Sequence, residues 1–126
     1  MKQVLSIEQI LHLKELGLDT SDGSMCLEWN ESDSDNMVVT SMDADTNYDY
    51  YYGTYTLQDI LNKLPCFIGN QVFTIHKLAD IYTCLYMEPY SRSIIKITES
   101  KELIDAAYEM LCWCIENGYV KVGKEE

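Results

Sequence analysis

The sequence predicts an α+β protein with a single domain, residues 1–126, in which a single antiparallel sheet has helices packed on one face. Three observations predict this class. Apolar residues recur at helical spacing near both ends of the chain, and several stretches between them alternate apolar and polar residues as strands do. The longest helical pattern covers residues 99–117. It is apolar around most of its circumference, so we expect this C-terminal helix to be central to the core.

Two shorter helices each begin with a capping box, in which a Ser or Thr side chain and the residue three positions later bond each other's backbone N–H groups. The boxes and the helices they predict are Ser6 with Gln9 for residues 7–16, and Thr56 with Asp59 for residues 57–64. The predicted cap of the central helix is Ser100, and Gly118 is its predicted end. Its narrow polar strip holds Asp105, Glu109, Cys112 and Glu116, which we expect to face water.

Alternating and β-branched patterns predict six strands. They cover residues 25–29, 37–42, 48–55, 72–78, 81–87 and 93–98. Gly53 is expected to mark a bulge or the end of its strand. The last three strands follow one another with short turns, which is typical of an antiparallel meander. Because the meander leads straight into the central helix, we expect the helix to lie on its apolar face.

The negative charge of the chain is concentrated in one block. The net charge is −12, and residues 15–62 contain eleven acids and no Lys or Arg, whereas the rest of the chain has ten acids and nine bases. Such a block repels nucleic acid and anionic membrane and attracts a basic surface at short range. No apolar run approaches the roughly 18 residues of a membrane span. With no leader pattern and an odd number of cysteines, we expect a cytoplasmic protein with reduced thiols.

No motif in the sequence specifies a catalytic, cofactor or metal site. Residues 43–54 carry acids at calcium-loop spacing, but Tyr48 replaces the required Gly and Thr54 the required Glu. Cys112 and Cys114 point about 200° apart on a helix and cannot grip one ion. We therefore expect no cofactor or metal and buried structural cysteines. A Cys and His pair assembled by the fold stays open as an alternative.

The acidic middle of the chain is also rich in tyrosine, with four of the ten tyrosines within residues 48–52. Tyrosine is favoured at interfaces because it supplies rigid area with a polar tip. The alternative is that one face of this strand simply packs on the sheet. The candidate partner-binding residues are Trp29, Asp33, Asp35, Asp43, Asp45, Tyr48, Asp49, Tyr50, Tyr51 and Tyr52.

Two functions from different classes follow. The first is a non-enzymatic module that binds an unknown protein partner through this region, in one version a partner with a basic surface. In its most specific form, this hypothesis is that the protein mimics a nucleic acid, with its carboxylates in place of the phosphates. The alternative is a small enzyme or ligand-binding domain with a pocket between the sheet and the helices. A homodimer is compatible with both.

Three segments also carry a resemblance: LSIEQILHLKELGLDTS at 5–21, TYTLQDILNKLP at 54–65 and LIDAAYEMLCWCIENGYVK at 103–121. Together they resemble a group of small acidic hypothetical proteins encoded in prophages and mobile elements of gut anaerobic bacteria. The resemblance covers about two-fifths of the chain and implies a bacterial cytoplasmic protein, without assigning any functional residue.

Overall fold

The structure is a computed structural model that describes residues 2–29, 37–41 and 51–122, of which 28–29, 37–41 and 51–52 are described by their backbone. Its helices and strands give the α+β fold that the sequence predicts. In chain order they are α1 (Ile7–Glu15), β1 (Met25–Trp29), β2 (Met37–Ser41), β3 (Tyr51–Thr54), α2 (Leu57–Lys63), β4 (Phe67–Ile68), β5 (Gln71–Leu78), β6 (Ile81–Met87), β7 (Ile94–Ser100) and α3 (Leu103–Glu116).

The strands form two antiparallel sheets, which corrects the prediction of one. The first has the order β2-β1-β3 and the second the order β4-β5-β6-β7. Helix α2 follows β3 after only two residues, Tyr55 and Thr56, and Pro65 comes soon after the helix ends. Along the chain, α2 therefore separates the strands of the first sheet from β4. Each later strand then pairs with its neighbour in sequence, and β4 is a short strand that the sequence did not predict.

Both predicted capping boxes are present. At α1 the Gln9 N–H donates to Ser6 Oγ at 3.2 Å, and the Ser6 N–H donates to Gln9 Oε1 at 2.9 Å. The same reciprocal pair joins Thr56 and Asp59 at α2. Helix α1 ends as predicted at Gly17, whose φ of 102° only glycine adopts readily.

The predicted N-cap of α3 is wrong. Ser100 is the last residue of β7, where it pairs with Tyr82, so its backbone belongs to the sheet. Glu102 takes the N-cap position without a side-chain capping bond. The other end is confirmed, because Gly118 has a φ of 81° and the Tyr119 N–H donates to the Cys114 carbonyl at 2.8 Å.

The pairing of β3 with β1 has no bulge at Gly53. Gly53 lies within β3 in regular register opposite Cys26 and one residue before the strand ends. The irregularity lies instead between β6 and β7, where the register shifts between Tyr86 and Met87.

Helix α3 packs on one face of the four-stranded sheet and is central to the core, as the sequence predicts. Its buried residues join a cluster that includes Cys84 and Tyr86 of β6. Thr98 of β7 fixes the helix, since its hydroxyl donates to the Ala106 carbonyl at 2.7 Å. Helix α1 is joined to α3 by Asp105, which accepts a hydrogen bond from the Gln9 side chain at 2.9 Å.

Candidate functional site

Most of the predicted partner-binding residues lie outside the described residues. These are Asp33, Asp35, Asp43, Asp45, Tyr48, Asp49 and Tyr50. Trp29 ends β1, where its backbone pairs with Met37. Tyr51 and Tyr52 belong to β3 and pair with Glu28 and Leu27. The first sheet therefore brings the backbone of these three residues onto neighbouring strands, and the proposed role of their side chains stays a prediction.

The described residues contain a second candidate surface, on the face of the four-stranded sheet that α3 does not cover. Because successive side chains of a strand point to opposite faces, the residues beside Cys84 and Tyr86 point away from the helix. We call this surface the outer face. Its rows across the strands are Phe67, Val72, Met87 and Ile94; Thr74, Leu85 and Ile97; His76, Thr83 and Glu99; and Leu78 with Ile81.

The outer face is largely apolar in its first two rows and open to water around its centre, while its third row of His76, Thr83 and Glu99 is polar and precedes Leu78 and Ile81. Leu85 lies in the middle, between Thr74 and Ile97, and is only 3% exposed. The large apolar side chains around it are far more accessible: Phe67 at 66%, Leu78 at 81%, Ile94 at 43% and Ile97 at 45%. Single exposed apolar residues are normal, but a contiguous apolar patch marks an interaction site.

Sequence reasoning missed this surface because the run of isoleucines in β7 is typical of a buried strand. Ile94, Ile95 and Ile97 are all more than two-fifths exposed. The available signal was topological. The sequence predicts helices on one face of the meander only, so no predicted helix covers its other face.

A groove of about 250 Å³ lies between α1, α3 and β7. This is the kind of pocket between sheet and helices that the ligand-binding alternative requires. Its lining residues are His12, Lys96, Thr98, Tyr108, Glu109, Cys112, Trp113 and Glu116. The His12 and Tyr108 rings meet edge to face with centroids 6.3 Å apart. Three of the four residues in the predicted polar strip of α3 thus line this groove.

Cys112 lies in the groove beside carboxylates, but its environment does not activate it. Burial raises the pKa of the Cys112 thiol to about 11; Glu116 and Glu109 also raise it, and hydrogen bonding to Tyr108 only partly offsets them. A thiolate is the nucleophilic form of cysteine. With this pKa the side chain is a neutral thiol at pH 7. The groove is therefore better suited to binding than to nucleophilic catalysis.

The other cysteines and the second histidine do not complete a site. Cys112 and Cys114 lie on different faces of α3, as predicted, with Cys114 fully buried. The expectation that the cysteines are buried is wrong for Cys66, which is exposed. His76 lies on the outer face, away from the groove.

Within the described part of the chain, no group of three or more His, Cys, Asp or Glu side chains is placed to hold a metal ion. No helix there has both the length and the apolar character needed to cross a membrane.

No protein-family model, no curated protein and no solved structure matches this chain.

Proposed function

We propose that this protein is a non-enzymatic, cytoplasmic protein-interaction module, and that the outer face is its principal binding surface. The observation that carries the proposal is a largely apolar face of the four-stranded sheet with no helix packed on it among the described residues. Burying an apolar surface contributes about 25 cal/mol per Å² of area removed from water. Phe67 and Leu78 are the most exposed apolar side chains of this face, so they gain most from being covered.

The low charge of the outer face, and its lack of Lys and Arg, favour a protein partner. Glu99 and His76 are its only titratable side chains, and both lie in one row. A nucleic acid or an anionic lipid surface needs basic side chains to neutralise its phosphates. The outer face offers none, whereas it matches the apolar centre of a protein interface.

The acidic, tyrosine-rich residues keep a distinct role in this proposal. They are expected to add a charge-dependent contact to a basic surface, while the outer face supplies a charge-independent one. Salt separates the two contributions, because it screens exposed charges beyond about 10 Å at 0.1 M and leaves apolar burial in place.

The proposal is tested by affinity capture from a cytoplasmic extract of the cells that make the protein. The baits are the wild type, Ile97→Lys on the outer face, and Leu11→Lys as a matched control. Leu11 is 48% exposed, close to the 45% of Ile97, but lies on α1. We expect at least one protein to bind both the wild type and the Leu11→Lys control at 500 mM NaCl. That protein, which is either a different protein or untagged copies of this one, should not bind the Ile97→Lys variant.

Every captured protein is then purified and titrated against the three baits by calorimetry. Loss of binding only with Ile97→Lys supports the outer face. Identical capture by all three baits would show that the outer face is not the binding surface. Capture that disappears for all three baits at 500 mM NaCl would assign binding to the acidic residues instead.

A second candidate function is the binding of a small ligand in the groove between α1, α3 and β7. A cavity of about 250 Å³ is slightly below the usual range of ligand sites. Native mass spectrometry of the purified protein tests this candidate. A bound mass should be retained in the exposed-site control Cys66→Phe and lost in Cys112→Phe, which fills the groove. Retention in both variants would place the ligand elsewhere.

A further inference from the structure

The size, the low charge and the edge residues of the outer face point to its occupant. We infer that the partner is a second copy of this chain, packed face to face through the same surface. This inference rests on the proposed function and names the partner of the same site.

The dimensions of the outer face suit a modest symmetric interface. Three strands of seven or eight residues, at about 3.3 Å per residue and about 4.8 Å apart, give a patch of roughly 23 by 14 Å, and the two residues of β4 extend it at one corner. Pairing two such patches buries on the order of 1,000 Å² in total, at the lower end of specific interfaces. Two sheets pack face to face in this way at a separation of about 10 Å. We therefore expect a dimer that dissociates in the micromolar range.

The distribution of charge allows a second copy to approach on this side. Residues 63–122 contain six bases and seven acids, so this part of the chain has a net charge of only −1 out of −12. A strongly charged partner finds little to pair with on the outer face. A largely apolar face with little charge finds its complement in another such face, and the outer face of a second copy is one.

The two edges of the outer face complement each other under two-fold symmetry. A two-fold axis parallel to the strands, between the two sheets, places β4 of one copy over β7 of the other. Phe67 and Ile94 share the first row but lie on opposite edges of the sheet. The protruding Phe67 ring of each copy therefore meets Ile94 of the other. Such isologous pairing closes at two copies, with Phe67 as the aromatic anchor.

Sedimentation equilibrium of the full chain between 5 and 500 µM tests the inference. We expect the wild type and the control Leu11→Lys to reach the dimer mass. Phe67→Glu and Ile94→Lys should each be monomeric throughout, with dimer affinity reduced at least 100-fold. Far-UV circular dichroism and the thermal midpoint verify that each variant is folded.

Mixing the two monomeric variants provides the decisive measurement. An equimolar mixture of Phe67→Glu and Ile94→Lys should recover a dimer. In the mixed dimer, the Glu introduced at position 67 of one copy faces the Lys introduced at position 94 of the other, and the second contact is the native pair of Phe67 and Ile94. A wild type that stays monomeric to 500 µM would overturn the inference, and so would dimers that persist in both variants or a mixture that stays monomeric. If the wild type is monomeric but captures an unlike protein that Ile97→Lys loses, the inference fails while the proposed function stands.

Discussion

Gly23 is a residue at which the fold leaves no room for a side chain. A Cβ atom added there would lie 2.4 Å from the carbonyl oxygen of Thr54 and 2.9 Å from its carbonyl carbon. Thr54 is itself fully buried, with its hydroxyl donating to the Leu5 carbonyl at 2.7 Å. The obstacle is backbone held on both sides, so it cannot move aside as a flexible side chain would.

We predict that Gly23→Ala lowers the free energy of unfolding by about 3 kcal/mol, the upper end of the usual cost of overpacking. Gly69→Ala is the matched control, because Gly69 has a φ of 61° but no atom within 4 Å of an added Cβ. That change should cost about 1 kcal/mol. Urea denaturation of the three proteins measures both values. Equal losses would mean that the approach to Thr54 is not what requires glycine at position 23.

Asp59 joins the start of β1 to α2. Its carboxylate accepts hydrogen bonds from the Ser24 hydroxyl at 2.6 Å and from the Thr56 N–H at 2.9 Å. Burial alone would raise the pKa of Asp59, but these hydrogen bonds outweigh it and hold the pKa below its usual value of 3.8. A lowered pKa in the folded state means that the ionised group stabilises the fold above about pH 4, and that this contribution is lost as pH falls through the folded pKa.

We therefore predict that Asp59→Asn lowers the free energy of unfolding by about 1–2 kcal/mol at pH 7. The difference from wild type should begin to shrink as the pH falls below about 4 and toward the lowered pKa of Asp59, because the wild-type carboxylate then becomes protonated as well. Urea denaturation at pH 3, 5 and 7 tests this, with Asp80→Asn in the exposed β5–β6 turn as the control expected to change little. A difference that is constant from pH 7 to 3 would contradict the role of ionisation.

At the scale of elements, Asp105 couples the N-terminal segment and α1 to α3. It accepts hydrogen bonds from Lys2 Nζ at 2.7 Å and from Gln9 Nε2 at 2.9 Å. Gln9 also closes the capping box of α1, so one carboxylate fixes both the start of a helix and its position on the core. The pair with Lys2 is about a quarter exposed, which weakens it through solvent screening.

We predict that Asp105→Ala costs about 1–2 kcal/mol of unfolding free energy, and that Glu109→Ala, one turn further along α3, changes it by less than about 0.5 kcal/mol. Thermal unfolding of both variants compares them directly. Hydrogen exchange should also show faster exchange of α1 amides in Asp105→Ala alone. Unchanged exchange in α1 would show that Asp105 does not hold that helix in place.

The elements were predictable where their signals are local. The capping boxes at Ser6 and Thr56 and the glycine ends at Gly17 and Gly118 depend on residues within one helical turn, so the sequence alone places these helix ends. Ser100 was assigned wrongly because its pairing with Tyr82 across the sheet takes precedence over its capping preference. The division into two sheets is likewise a matter of which strands pair, and local patterns carry no information on strand partners.

The candidate surfaces differ in the same way. The polar strip of α3 predicts that Glu109, Cys112 and Glu116 reach water, and they line the groove. The outer face requires knowing that α3 covers Cys84 and Tyr86, which leaves Leu85 and its neighbours on the other side. That assignment depends on tertiary packing. From the sequence alone, the isoleucines of β7 have the pattern of a buried strand.

At the scale of the whole molecule, the uneven charge should make stability depend on salt. A net charge of −12 carried almost wholly outside residues 63–122 repels itself within a Debye length. We predict that raising NaCl from 20 to 500 mM raises the thermal midpoint by several degrees. Changing Asp33, Asp35, Asp43, Asp45 and Asp49 to Asn should remove most of that increase.

The control changes the same number of charges in the neutral half, with Asp80, Glu88, Glu99, Glu109 and Glu116 made into their amides. That variant should keep most of the salt dependence, because those acids are interspersed with bases. Differential scanning calorimetry of the three proteins measures the effect. A similar loss of salt dependence in both variants would mean that total charge matters and its clustering does not.

The aromatic contacts of α3 give the protein a built-in optical probe. Trp113 lies between Tyr86 and Tyr119, with ring centroids 6.4 and 5.3 Å from its own. The only other tryptophan, Trp29, is in β1 of the first sheet. In a Trp29→Phe variant, the emission of Trp113 therefore reports whether α3 is docked on the four-stranded sheet. Stopped-flow fluorescence of that variant, beside one with Trp113→Phe, follows the assembly of the two sheets separately in time.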